Sequence, residues 1–91
     1  MTGIFGISPI ILYHPDTTRG ASLRLSNRLR VARAEKRISQ EELARMAGVT
    51  RQTIGAIENG QYGPSALLAF VLAQQLHRPV SELFYLEGEA T

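Results

Sequence analysis

Four residues near the middle of the chain carry side chains that can bind the edges of DNA bases. They are Arg51, Gln52, Thr53 and Ala56. Glutamine can pair with adenine N6 and N7, and arginine can pair with guanine O6 and N7 or bind a phosphate. Threonine can contact a thymine methyl or a phosphate, and alanine can offer only a methyl group. The same residue types also suit an ordinary solvated helix surface. Their meaning therefore depends on the elements that hold them.

The flanking residues predict two short helices joined by a tight turn. Ser39 is a favourable N-cap, and Glu42 three residues later completes a capping box. Gly48 stands where a helix needs a left-handed residue to end, and Thr50 can cap the next helix. An Asn-Gly pair at 59–60 closes that second helix in the same way.

The apolar residues of this stretch follow helical spacing. Leu43, Ala44 and Ala47 share one face of the first helix, and Ile54 and Ile57 share one face of the second. Two helices that cross over a glycine-containing turn form a helix-turn-helix. This arrangement leaves the four candidate base-reading residues on the outer face of its second helix.

This stretch resembles the Cro/phage-repressor (XRE) helix-turn-helix family. The matching segments are 39–40, 43–44, 48–49, 52–54 and 57–60, and the similarity extends from about residue 27 to about residue 86. The resemblance implies an all-α, five-helix, lambda-repressor-like DNA-binding domain. We place this domain at 25–86, between an N-terminal extension at 1–24 and an acidic tail at 87–91.

Three more helices complete the predicted domain. The first helix is expected at 27–36 with Ser26 as its cap, the fourth at 66–76 after a Ser65 cap, and the fifth at 80–85. His77 takes the left-handed position after the fourth helix, where the resembled family favours glycine.

The extension is interrupted repeatedly by glycine and proline, which excludes a long helix there. Its most regular part is a short β-prone run made of Ile10, Ile11, Leu12 and Tyr13. This run predicts a short strand, an arm on the domain or on a second subunit, or a mobile leader.

Basic residues are concentrated on one side of the motif. Residues 19–37 contain seven arginines and lysines and one acidic residue, although the net charge of the chain is only +2. A basic flank beside a helix-turn-helix suits a polyanionic partner, whereas such a run by itself is typical of a solvated surface. Arg28, Arg30 and Arg37 are therefore candidate phosphate contacts.

The resemblance adds further roles around the motif. It implies phosphate contacts by Gln40, Thr50, Asn59 and Tyr62, and it implies that Gln40 also buttresses the third helix. The start of a helix favours a phosphate at Gln40. The alternatives are first-turn polarity for Gln40, a helix stop for Asn59 and loop packing for Tyr62. The resemblance also implies a structural ion pair between Arg33 and Glu58.

The fourth helix is apolar on more than one side. Leu67, Phe70 and Val71 widen its apolar surface beyond a single stripe, and such a helix needs a second cover. We expect a homodimer, because two domains related by a two-fold axis can read two half-sites. The interface would be formed by the fourth and fifth helices or by the N-terminal segment that contains the run at 10–13.

Composition restricts the function further. The chain has 91 residues, no cysteine and two distant histidines, so we expect one domain with neither a disulfide nor a metal site. It has no membrane-length apolar run and no signal-like N-terminus, so a cytoplasmic location is expected. The sequence shows no nucleophile–base pair and no phosphate-binding glycine loop, so an enzyme is not expected, and no cofactor is expected either.

Two functional hypotheses follow. The first is a sequence-specific transcriptional regulator, most simply a repressor, that binds an operator in double-stranded DNA as a homodimer. The second is an antitoxin or adaptor that holds a toxin or another protein through the fourth helix and the extension.

Overall fold

Five helices lie between two strands in chain order. The structure, a computed structural model, describes residues 23–88. Its elements are β1 (Arg24–Asn27), α1 (Leu29–Glu35), α2 (Gln40–Ala47), α3 (Arg51–Glu58), α4 (Ala66–Leu76), α5 (Val80–Leu83) and β2 (Phe84–Glu87). The predicted run at 10–13 lies outside the described residues.

The core consists of one apolar cluster to which every helix contributes. Its fully buried large side chains are Leu29, Leu43, Ile54, Ile57, Leu72, Leu76 and Leu83. Ala44 is buried on α2, and Ala32 on α1 and Ala73 on α4 are buried as well. These small side chains let the helices approach one another closely, as the spacing of apolar residues predicted.

Local capping chemistry sets most helix ends. The hydroxyls of Ser39, Thr50 and Ser65 accept hydrogen bonds from the third backbone N–H of α2, α3 and α4, at 3.0–3.1 Å. Gly48 and His77 end α2 and α4 in the left-handed conformation. All five of these residues cap the helix ends that the sequence predicted for them.

The first helix is shorter than predicted. It was expected at 27–36 with Ser26 as its cap, but α1 covers Leu29–Glu35. Residues 24–27 pair instead with β2, and the Asn27 side chain accepts the hydrogen bond from the Leu29 N–H at 3.0 Å. Strand pairing therefore removes two residues from the helix, and Asn27 supplies an acceptor for its first turn.

The fifth helix was also predicted too long. It was expected to reach residue 85, but α5 ends at Leu83 because Phe84 and Tyr85 enter β2. The antiparallel register pairs Asn27 with Phe84 and Arg24 with Glu87. The sheet therefore joins the two ends of the described domain.

Candidate nucleic-acid interface

The outer face of α3 presents a continuous polar stripe. Arg51 and Gln52 are exposed at its start, whereas Ile54 and Ile57 are buried on its opposite side. Ala56 lies one turn after Gln52 and is partly exposed. The structure therefore places these residues on one accessible surface of the helix.

Thr53 is tied to the helix cap rather than free on that surface. Its hydroxyl lies 3.0 Å from the Thr50 hydroxyl, and its backbone N–H donates to the same Thr50 oxygen at 3.1 Å. Thr53 is partly buried. Its hydroxyl therefore already has an internal partner.

Gln40 connects the start of α2 to both ends of α3. Its side-chain nitrogen Nε2 donates to Glu58 Oε1 at 2.9 Å, and its oxygen Oε1 accepts from Arg51 Nη1 at 3.1 Å. A Cβ atom at Gly55 would lie 3.8 Å from Gln40 Nε2, an ordinary van der Waals contact, so this arrangement does not require glycine there. The candidate phosphate contact and a candidate base contact are thus directly hydrogen-bonded.

Glu58 lies at the centre of a buried polar cluster. Its side chain is 0% exposed and its Oε2 lies 2.8 Å from Arg33 Nε, whose side chain is 16% exposed. Arg33 also donates to the Ile38 carbonyl at 2.9 Å, which fixes the connection between α1 and α2. The two residues of the predicted ion pair are therefore in contact and join α1 to the end of α3.

Hydrogen bonds keep the buried carboxyl group of Glu58 ionised. Burial opposes ionisation, but hydrogen bonds from Arg33 and Gln40, the charge of Arg33 and a hydrogen bond from Arg30 outweigh it. The pKa of Glu58 consequently lies below its usual value. An ionised carboxylate only accepts hydrogen bonds, which determines how its neighbours orient.

The candidate phosphate-binding arginines are divided between two sides of α1. Arg30 reaches the end of α3, where it contacts Glu58 at 3.4 Å and donates to Asn59 Oδ1 at 3.0 Å. Arg28 points elsewhere, with its guanidinium 5.3 Å from the centre of the Tyr85 ring. The structure therefore brings Arg30 to the helix-turn-helix and leaves Arg28 on the β2 side.

The remaining candidates lie on the surface around the motif. Arg37 is exposed and has a left-handed backbone, with φ 58°, directly after α1. Tyr62 is 48% exposed in the connection from α3 to α4 and lines a groove of about 520 Å³ together with Asn59 and strand β1. Both side chains are accessible to a ligand.

Asn27 has a role that the sequence interpretation missed. Its side-chain nitrogen donates to the Ile57 carbonyl at 2.8 Å and so anchors the last turn of α3 to β1. The sequence signal at this position was a polar residue near a helix start. A partner 30 residues away could not be inferred from it.

The exposed apolar surface of α4 lies outside this cluster. Leu67 and Phe70 are 76% and 60% exposed, while Val71 is partly buried.

No helix within residues 23–88 is long and apolar enough to cross a membrane.

Comparison with known proteins identifies the family. The helix-turn-helix family model matches residues 29–83, so the chain belongs to the helix-turn-helix family, as the resemblance to XRE-type regulators predicted. It is a DNA-binding transcriptional regulator and not an enzyme.

Particular relatives agree with this assignment. The chain is 42% identical over 65 residues to the uncharacterized HTH-type transcriptional regulator YgzD of Bacillus subtilis, covering 71% of this chain and 98% of that one. An uncharacterized HTH-type regulator of Methanocaldococcus jannaschii is similar to the same extent.

A solved structure supports the fold. The restriction-modification controller protein C.AhdI from Aeromonas hydrophila is 38% identical, with a TM-score of 0.58 over 60% of this chain and 80% of that chain. The predicted five-helix, lambda-repressor-like fold is confirmed, with a small two-stranded sheet in addition.

Proposed function

We propose that this regulator is a sequence-specific repressor that binds its operator as a homodimer, with α3 in the major groove. The observation that supports base reading is the accessible stripe that begins with Arg51 and Gln52 over the buried Ile54 and Ile57. A single helix fits the width of the major groove, where each base pair presents a distinct pattern of donors and acceptors.

Phosphate contacts would surround this helix. Gln40 opens α2, where backbone N–H groups and the helix dipole favour an anion, and Asn59 and Tyr62 follow the far end of α3. We include Thr50, Arg28, Arg30 and Arg37 as further phosphate contacts. Such contacts hold the domain in register without reading sequence.

A selection experiment tests the readout. The purified chain is equilibrated with a random double-stranded library, and affinity is then measured for the selected sequence by fluorescence anisotropy. We expect Gln52→Ala to lower affinity roughly 5- to 150-fold, because a bidentate base contact is worth about 1–3 kcal/mol. Val31→Ala on the exposed side of α1, away from α3 and from the exposed apolar face of α4, is the control and should leave affinity unchanged. Equal affinities for Gln52→Ala and the wild-type chain would refute this readout.

The exposed side chains of α4 support the proposed dimer. Leu67 and Phe70 form an apolar surface that a second copy would cover. Sedimentation equilibrium should give a dimer for the wild-type chain and a monomer for Leu67→Ser with Phe70→Ser. A wild-type chain that remains monomeric and binds a single half-site would refute this interface.

Repression requires only that the bound domain excludes polymerase from a promoter. A reporter whose promoter overlaps the selected operator should therefore lose expression when the regulator is present. Activation of the reporter would contradict the proposed sign.

The same apolar surface favours a second candidate, a regulator that acts as an antitoxin or adaptor. In that case Leu67 and Phe70 would bind a different protein. The serine substitutions would then abolish a stoichiometric complex with that protein while the wild-type chain alone remained monomeric.

A further inference from the structure

Four polar side chains from α1, α2 and α3 form one connected series of hydrogen bonds. Arg33 Nε donates to Glu58 Oε2 at 2.8 Å, Gln40 Nε2 donates to Glu58 Oε1 at 2.9 Å, and Arg51 Nη1 donates to Gln40 Oε1 at 3.1 Å. The series begins at a buried ion pair and ends at an exposed arginine in the candidate DNA surface.

The chemistry of the two ends gives this series one direction. An ionised carboxylate only accepts hydrogen bonds, a guanidinium only donates, and an amide has one end of each kind. Glu58 therefore binds the nitrogen of Gln40 and leaves the oxygen toward Arg51. The reversed amide would place oxygen against the carboxylate and nitrogen against the guanidinium, which is unfavourable at both contacts.

Arg51 needs such an acceptor because of its position. It is the first residue of α3, where the positive end of the helix dipole disfavours a cation. A guanidinium has five N–H donors, so the bond to Gln40 leaves enough of them for a paired contact with guanine O6 and N7.

We infer that Glu58 is a positioning residue for guanine recognition, acting through Gln40 on Arg51. Glu58 lies seven positions after Arg51, a distance of about 10 Å along a helix, so the two side chains cannot share a base contact. The buried carboxylate at the end of α3 thus controls a base reader at its start. This inference rests on the proposed function.

The test uses operators in which single guanines are replaced by 7-deazaguanine, which lacks the N7 acceptor. For each protein, the measured quantity is the ratio of its affinities for the unmodified and modified operators. A lower fraction of folded protein, or a uniform loss of phosphate contacts, changes both affinities equally and leaves this ratio unaltered. The ratio therefore separates positioning from a merely structural effect.

Replacing one particular guanine by 7-deazaguanine should lower the affinity of the wild-type chain roughly fivefold or more. In Arg51→Ala, the ratio of the two affinities at that guanine should fall to one. Gln40→Met removes both amide contacts and should reduce the same ratio toward one. The double variant Arg33→Met with Glu58→Met should do so as well. It replaces a buried ion pair by apolar side chains of similar length, a change that is often tolerated.

The outcomes distinguish the inference from the proposed function. A ratio that stays at the wild-type value in either the double variant or Gln40→Met, while Arg51→Ala abolishes it, would overturn the positioning of Arg51 by Glu58 through Gln40 and leave DNA reading by α3 intact. Failure of Arg51→Ala to change any ratio would instead remove Arg51 from the proposed readout, and the inference with it.

Discussion

Replacing Arg33 by methionine should destabilise the domain by stranding a buried charge. Arg33 donates to both oxygens of Glu58, at 2.8 and 3.4 Å, and to the Ile38 carbonyl at 2.9 Å. Methionine has a similar length but no donor. The variant therefore removes three hydrogen bonds and one charge while it keeps most of the packing.

The size of the effect follows from what remains around Glu58. Removing one partner of a buried ion pair typically costs about 3–5 kcal/mol. Glu58 would keep the Gln40 hydrogen bond at 2.9 Å and the Arg30 contact at 3.4 Å, which hold part of its charge. We therefore expect a loss near the lower limit, about 3 kcal/mol, and a fall in melting temperature of roughly 15 °C for a domain of this size.

Urea unfolding at pH 7, followed by helical circular dichroism, measures this loss. The midpoint should fall without a change in slope, because the surface exposed on unfolding stays the same. The matched control is Arg24→Met. Arg24 and Glu87 form an ion pair at 3.4 Å, but their side chains are 67% and 52% exposed, so this variant should lose less than about 1 kcal/mol.

The double variant Arg33→Met with Glu58→Met identifies the cause. With both charges gone, no buried charge is left unpaired. Only two neutral groups, the Ile38 carbonyl and the Gln40 amide nitrogen, lose a partner, so most of the lost stability should return. A loss for Arg33→Met no larger than that for Arg24→Met would refute the reasoning. So would a double variant less stable than Arg33→Met alone.

Three further predictions use the same unfolding assay. Leu72→Ala should cost about 2–5 kcal/mol because Leu72 is fully buried, whereas Val31→Ala on the exposed side of α1 should change stability by less than about 0.5 kcal/mol; equal losses would contradict the assigned core. Gly55→Ala should stabilise α3 by about 0.5–1 kcal/mol, because the added Cβ makes only ordinary contact; Gly48→Ala should destabilise by about 1 kcal/mol or more, because Gly48 has φ 76°. The pKa of Glu58 is lower in the folded than in the unfolded chain, so its contribution to the free energy of unfolding is complete above the unfolded-state pKa and is lost as pH falls through the folded-state pKa. Glu58→Gln should therefore flatten the decline in stability on acidification. An unchanged pH profile would exclude Glu58 as the source of that decline.

The helix-turn-helix was predictable because its determinants are local. A cap such as Ser39 bonds to a backbone N–H three residues away, and Gly48 supplies a left-handed conformation at its own position. Helical spacing of Ile54 and Ile57 selects the buried face of α3 in the same local way. Each of these signals lies within one or two turns of the residue it controls.

The sheet could not be predicted because its partners are about 60 residues apart. Leu25 pairs with Leu86 and Ser26 with Tyr85. By itself, the segment 24–27 looks like a helix start, and 84–87 looks like the end of the fifth helix followed by an acidic tail. Only the folded core brings the two segments together, and strand pairing then outweighs the weak local preference of four residues.

The polar cluster combines both kinds of information. The resemblance implied the pair between Arg33 and Glu58 and placed Gln40 at the start of α2. It did not indicate that Gln40 bonds to Glu58 and Arg51 together, because that requires the start of α2 to meet both ends of α3. The contact depends on how closely the two helices cross, which the bulk of each residue at the crossing decides.

The orientation of α3 is consequently determined by residues that do not read DNA. At one end the Thr50 cap fixes the start of the helix, and at the other Asn27 binds its last turn from β1, while Arg33 binds Glu58 from α1. The outer stripe contributes nothing to the buried core. On the proposed function, different side chains at its positions would change the DNA sequence that is read with little effect on the buried core, while the bonds from Glu58 through Gln40 to Arg51 connect the two faces of α3.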